Sequence, residues 1–258
     1  MNDIVILKSF LDYPLGTGEG ILEQFASLKG AIRRVNEKNR LEQFVLVPGE
    51  RDNRVLLVAH ADTYWDQNYN NGSLTIFDQN NNHGTIMDHQ MVHNGDIISS
   101  ATPGFGIGAD DRAGCAILWL LQNLGHSLLI TNGEEKGGVG SNWLMDHNKE
   151  IAREINNHHQ FAVQFDRRNS KDFKCYTVGT KEFSDYIEKE TDYTEPDPFK
   201  YTDIVTLCQR ITGVNLSIGY YNEHNENEIL VLSEWKNTLD LCRVWLKKPY
   251  LPEFLRNI

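Results

Sequence analysis

Four short apolar runs, each ending in residues able to do chemistry, set the pattern of the chain. Val55-Leu56-Leu57-Val58-Ala59 runs into His60-Ala61-Asp62, and Leu128-Leu129-Ile130-Thr131 runs into Gly133-Glu134-Glu135. Phe161-Ala162-Val163-Gln164-Phe165 ends in Asp166, and Val214-Asn215-Leu216-Ser217-Ile218-Gly219 leads through Tyr220-Tyr221-Asn222-Glu223 to His224. Runs of this length among helix-period segments read as buried parallel strands. In open α/β sheets, ligands gather beyond the carboxyl ends of such strands. The expected fold class is α/β: a single three-layer α/β/α domain over residues 1–258 with a mixed, mostly parallel sheet.

The segments between these runs predict the covering layers. Ile4, Ile6, Leu7, Phe10 and Leu11, then Ile21, Leu22, Phe25, Leu28, Ile32 and Val35, recur at intervals near three and four, which predicts two amphipathic helices on one face of the sheet. Phe44-Val45-Leu46-Val47 reads as a strand, and the turn from Pro48 to Asn53 makes it an antiparallel neighbour of the His60 strand. Residues 66–95 are rich in Asn, Gly, Asp and His, a long irregular excursion of the kind that forms functional rims. Its histidines His83, His89 and His93 sit at no apolar strand end and are given no role. Cys115 to Leu121 is a buried helix closed by Gly125, and Gly137-Gly138 opens another that carries Trp143, Leu144 and Met145. A strand near Cys175 to Val178, a helix around Phe183 to Glu190, a loop from Thr194 to Pro198, a helix over Thr202 to Thr212 and a closing helix from Ile229 to Leu246 complete the expectation.

Composition narrows the classes. A chain of 258 residues suits one large domain, and no apolar run approaches the roughly 20 residues of a membrane span. The amino-terminal Met1-Asn2-Asp3-Ile4 does not resemble a secretion signal. Cys115, Cys175, Cys208 and Cys242 show no paired spacing, against both a disulfide framework and a thiolate zinc site, so a cytoplasmic protein is expected. A net charge of −11 disfavours nucleic acid as a partner. No membrane partner is expected either.

The loop Gly106-Ile107-Gly108-Ala109-Asp110-Asp111-Arg112-Ala113-Gly114 delivers two carboxylates to the start of an apolar segment. Asp110-Asp111 alone could be a helix cap, Glu134-Glu135 a solvated turn, Asp166 a surface ion pair and His224 one polar residue in a charged loop. Jointly they form a mixed histidine and carboxylate set at strand ends and a helix start. That set suits zinc, with manganese or cobalt in substitution, whereas calcium and magnesium prefer oxygen alone. On the strand end, His60 and Asp62 lie on one face, so the Asp62 carboxylate can accept the second imidazole N–H. No Gly-x-Ser-x-Gly nucleophile elbow occurs, which argues against a serine hydrolase.

The ordered segments VAHAD, GIGADDRAG, NGEEKGGVGS, QFDRR and YYNEHNENE resemble the co-catalytic di-zinc exopeptidases and related deacylases, which include carboxypeptidase G, peptidase T and the bacterial leucyl aminopeptidases. The matching runs span His60 to Glu228. The resemblance implies two zinc ions per chain, one held by His60 and Asp166, the other by Glu135 and His224, with Asp110 bridging both. Glu134 matches the general base, Asp62 matches the residue that orients His60, and a cis peptide is implied between Asp110 and Asp111. Carboxypeptidase-G-like members insert a lid between the positions of Asp166 and His224, and the interval here is too short for one, so a lidless, aminopeptidase-like architecture is expected. Tyr220, Tyr221 and Tyr201 are candidates to replace the lid's oxyanion donor. The implied activity is hydrolysis of a small peptide, aminopeptidase-type. Deacylation of an N-acyl amino acid or cleavage of a dipeptide is the alternative, and a non-catalytic metal- or peptide-binding module the third reading. An acidic pocket would hold an α-amino group, whereas Arg112, Arg167 or Arg168 would favour a carboxylate.

Overall fold

The computed structural model describes residues 2–66, 75–77, 83–85, 89–196 and 201–257. The helices are α1 (Asp3–Leu11), α2 (Glu19–Ala26), α3 (Ala109–Leu121), α4 (Val139–His147), α5 (Lys149–His158), α6 (Lys181–Thr191), α7 (Asp203–Leu207) and α8 (Leu232–Leu246). The strands are β1 (Ile32–Asn36), β2 (Asn39–Val47), β3 (Leu56–His60), β4 (Thr75–Phe77), β5 (His83–Thr85), β6 (Met91–Asn94), β7 (Ile97–Ser100), β8 (Ser127–Thr131), β9 (Ala162–Arg167), β10 (Phe173–Lys174), β11 (Gly213–Ser217), β12 (Tyr220–Tyr221) and β13 (Ile229–Val231).

The main sheet has the order β1-β2-β8-β3-β9-β11-β10. Its centre is parallel, β8 with β3, β3 with β9 and β9 with β11, while β1, β2 and β10 run antiparallel to their neighbours. Alternation along each central strand divides the core into two layers. Leu57 and Ala59 join the side chains of α1, α2, α3 and α8 on one face, whereas Leu56 and Val58 join those of α4, α5 and α7 on the other. Every residue of β3, β8 and β11 is buried, which is why these strands read as unbroken apolar runs. The three-layer, mostly parallel α/β reading holds.

Several local expectations do not. Ile32 and Val35 belong to β1, not to a helix. They satisfy a helical interval only because residues 32–36 form one arm of a half-exposed hairpin with β2. β2 is not hydrogen-bonded to β3, since β8 lies between them and takes β2 as its antiparallel partner. The helix expected over Thr202 to Thr212 is only α7, because the chain must be extended again at Gly213 to lie beside β9. Ile229–Val231 pairs with β7 before α8 begins, and the strand expected near Cys175 to Val178 is displaced: the paired residues are Phe173–Lys174, and Tyr176–Val178 form a 3-10 turn. The excursion after Asp66 also carries regular structure. β4 pairs with β5, and the hairpin β6–β7 joins β13 and β12 in a second sheet of order β12-β13-β7-β6. The stretches Asn70-Asn71-Gly72 and Asn80-Asn81-Asn82, the side chain of His83, and Asp197-Pro198 lie outside the described residues.

Residues 167–223 build β10, α6, α7, β11 and β12 of this same fold, so the interval between Asp166 and His224 holds no lid among the described residues. All four cysteines are free and buried. No helix among the described residues is long and apolar enough to cross a membrane.

Candidate metal centre and cleft

The loop before α3 is shaped by one buried carboxylate. Glu228 accepts the backbone N–H of Ile107 and Gly108 on Oε2, each at 2.8 Å, and that of Asp110 on Oε1 at 3.1 Å. Gly106 is required beside it, because a Cβ there would fall 2.4 Å from Glu228 Oε2. The Asp110–Asp111 peptide is cis, as the resemblance implies. Asp111 faces backward and accepts the N–H of His60 and of Gly114, both at 3.1 Å, which clips α3 to the end of β3. Its oxygens are therefore engaged by the backbone, and we treat Asp111 as structural although it lies close to His60 and Asp166. Gly114 allows this contact, since a Cβ would meet Asp111 Oδ1 at 2.1 Å and the carbonyl of Phe165 at 2.2 Å.

Asp110 spans the two histidines. Its Oδ1 lies 3.1 Å from His60 Nε2 and its Oδ2 lies 3.2 Å from His224 Nε2. On the far sides, Asp166 Oδ1 is 3.5 Å from His60 Nε2, and Glu135 Oε2 is 2.9 Å from His224 Nε2. All five residues expected as ligands thus converge, and the donor atoms of His60, Asp110 and Glu135 lie within 4.8 Å of one another. His89 and His93 join neither donor cluster.

Asp62 lies against the His60 ring, as expected, and has a second task besides. His60 Nδ1 is closer to the carbonyl oxygen of Asp62, at 3.0 Å, than to its carboxylate, at 3.4 Å. The carboxylate also accepts two consecutive N–H groups, Glu134 on Oδ1 at 3.2 Å and Glu135 on Oδ2 at 3.1 Å. One buried aspartate thereby aims the histidine and fixes the turn that carries both glutamates.

Around this set are residues that sequence reasoning missed. Thr202 and Gln164 donate to Asp166 Oδ2 at 2.8 and 2.9 Å, and Asn215 accepts the Asp166 N–H at 2.9 Å and donates to its carbonyl at 2.7 Å. Tyr64 stacks on the His224 ring with centroids 4.8 Å apart, holding a ligand candidate whose backbone φ is 62°. Glu228 was in the recognised segment YYNEHNENE but carried no role. The repeated acidic positions there were the signal available, and only the tertiary contact with the Gly106 loop tells Glu228 from its neighbours.

The electrostatics are those of crowded buried carboxylates. Desolvation pushes Glu135 up to about 7 and Asp166 up to about 6, with the Asp110 charge adding to both. Desolvation, then the Asp166 charge, raises Glu134 well above the usual carboxylate range. Burial opposes charge on His224, yet its hydrogen bonds to Asp110 and Glu135 push it up to about 11. Such a centre retains protons that bound cations would displace. The donors fit a divalent pair: imidazole nitrogens face carboxylate oxygens, and the buried Glu135 Oε1 has no hydrogen-bond partner among the described residues.

A cavity of about 310 Å³ opens over the centre, and Asp110, Glu134, Asp166 and His224 are among its lining residues. Of the tyrosines expected as oxyanion donors, Tyr220 lines it and donates to Asp166 Oδ1 at 3.3 Å, and Tyr201 lines it while bonded to Thr206. Tyr221 is not among the lining residues and donates to Glu234 at 2.7 Å. Arg112 is not in the cavity either. It is fully buried and donates to the carbonyls of Pro14 and Thr17 at 2.9 and 3.0 Å. Arg167 and Arg168 do line the cavity.

The fold is the one that the sequence resemblance implies, and the residues expected as metal ligands converge within it. Among solved structures, the chain is similar to an aminopeptidase PepT from Bacillus cereus, with a TM-score of 0.63 and 13% identity over 96% of this chain and 98% of that one. It is similar to a tripeptidase from Staphylococcus aureus at a TM-score of 0.62 and 12% identity, covering 96% and 100% of the two chains. An aminopeptidase from the archaeon Desulfurococcus kamchatkensis gives 0.60 and 12% over 95% of each. At these identities the likeness establishes the fold alone. No protein-family model and no curated protein matches the sequence.

Proposed function

We propose that residues 1–258 form one catalytic domain of a zinc-dependent peptidase, aminopeptidase-type, in which His60 and Asp166 hold one ion, Glu135 and His224 the other, and Asp110 both. The observation that carries this reading is the Asp110 carboxylate, which presents one oxygen to each histidine. When bound, the ions would acidify an attacking water and polarise the scissile carbonyl. Glu134 is the proton carrier: it lines the same cavity, and its burial raises its affinity for a proton. It takes the proton from the water and passes it to the leaving amine. Asp62 holds Glu134 and Glu135 through their backbones, so base and ligand keep a fixed spacing. Tyr220 is placed to donate to a developing oxyanion if it exchanges its Asp166 partner for substrate. The aminopeptidases and the tripeptidase of like fold support peptides as substrates. The free buried thiols support a cytoplasmic setting.

The test is Glu134→Gln in zinc-loaded protein. Zinc content and fold should persist while peptide hydrolysis falls by about 10²–10⁴-fold, the range for a lost general base. Near wild-type hydrolysis with both metals retained would overturn the assignment.

A further inference from the structure

The proposed hydrolase site accounts for only part of the cavity lining, and several of the remaining side chains are charged. The cavity over the centre is also lined by Arg167, Arg168, Asp172 and Glu223. Arg167 Nε donates to Asp172 at 2.5 Å, and both side chains are 14% exposed, so this is a closed pair. Arg168 differs. Its side chain is 52% exposed, and it donates through one nitrogen, Nη1, to Glu223 at 2.8 Å, whose own side chain is 12% exposed. A guanidinium carries five N–H donors in a fixed fork, so most of those on Arg168 remain available to a ligand. Arg168 and Glu223 also line an adjoining open cavity with Asn222, Asn225 and Asn227, whose amides are neutral. Among the described residues lining the two cavities, Arg168 is the one half-exposed basic side chain apart from the ligand candidate His224.

Resting on the peptidase reading, we propose that Arg168 is a carboxylate-binding subsite and that the substrate is a short peptide bearing a negative group that reaches it. The acidic side chains of the lining are accounted for: in the peptidase reading Asp110 and Asp166 hold the ions and Glu134 carries the proton, while Asp172 and Glu223 each have an arginine partner already. Among the described lining residues outside the metal centre, Arg168 is the half-exposed cation, and its fork can donate bidentately to a substrate carboxylate. A volume of about 310 Å³ lies at the small end of ligand pockets, which suits a substrate of two or three residues. The carboxylate can be the chain terminus or an acidic side chain, and the chemistry at Arg168 is the same for both.

Two substrate pairs separate these sources: alanyl-alanine against alanyl-alaninamide, and glutamyl-alaninamide against glutaminyl-alaninamide. The zinc-loaded enzyme should prefer the carboxylate member of one pair by about 10- to 100-fold in kcat/KM, mainly through KM, as expected for a hydrogen-bonded charge pair. Arg168→Gln should collapse that ratio, and Arg168→Lys, which keeps the charge without the fork, should retain part of it. Collapse in the first pair assigns the terminal carboxylate, and collapse in the second the side chain. Equal treatment of both pairs by the wild type, or a preference that survives Arg168→Gln, overturns the proposal. The same peptides titrated calorimetrically into Glu134→Gln and Glu134→Gln/Arg168→Gln report the subsite without turnover. Absence of hydrolysis by the wild type therefore counts against the peptidase reading, and the Kd ratio alone decides the subsite.

Discussion

Replacing Glu228 with Gln tests whether the loop before α3 is held by a carboxylate or merely by packing. The substitution keeps the volume and leaves one carbonyl oxygen, which can still accept the two N–H groups that Oε2 now takes from Ile107 and Gly108. The atom replacing Oε1 becomes an NH₂ that faces the backbone N–H of Asp110, so a 3.1 Å hydrogen bond turns into a donor–donor conflict. One buried donor left unpaired costs about 1–3 kcal/mol. At roughly 2–4 °C per kcal/mol for a chain of this size, the thermal midpoint of the metal-free protein should fall by about 2–12 °C. The disturbed donor belongs to Asp110, the bridging candidate, so zinc affinity should also fall, by about 10–100-fold, as for other groups that orient a metal ligand. Thermal melts with and without chelator, and competition with a chromophoric chelator, measure the two quantities. Wild-type zinc affinity in Glu228→Gln would show that Glu228 does not position Asp110, whatever happens to the melting point.

Glu135→Gln should lower the zinc bound at saturation from two ions per chain toward one, with hydrolysis partly restored by excess metal. Elemental analysis and a metal-rescue titration read both, and an unchanged ratio of two would remove Glu135 from the ligand set. Away from the centre, burial lowers His126 and His159 to about 4, well under the ordinary 6.5. The folded state then binds fewer protons than the unfolded one between those values, so stability present above pH 6.5 is lost as pH falls toward 4, by about 3 kcal/mol per histidine. Urea midpoints at pH 7.5 and 5.0 should converge in His159→Gln relative to wild type, and an equal acid loss in the variant would refute this.

The parts of the fold that were legible are those where burial on both faces forces a run of apolar residues. β3, β8, β9 and β11 were readable for that reason, and with them the positions of His60, Glu134, Glu135 and Asp166. Edge elements were not. β1 has one arm of a hairpin to pair with and half its side chains in solvent, so Ile32 and Val35 could be fitted to a helical interval as well as to a strand. β13 is three residues long and depends on β7, over 120 positions earlier, for its identity as a strand. The same distance hid Glu228, whose partners Ile107, Gly108 and Asp110 lie 121, 120 and 118 positions away. Residue type alone nominated Asp62 to hold the imidazole, but which of its oxygens faces His60 depends on the turn at Glu134.

The ligand candidates are scattered along the chain, at the ends of β3, β8 and β9, at the start of α3 and in the loop after β12. No two of them from different segments are close in an unfolded chain, and their meeting requires the parallel strands to be in register through crossovers of dozens of residues. An ion gripped by this centre would therefore belong to the completed topology and not to any local piece of it. By mass action its binding energy would be added to the folded state as a whole. Apo and loaded protein would then differ less in shape than in how often the strands part, and resistance to proteolysis or denaturant would become a measure of how much metal the surroundings supply.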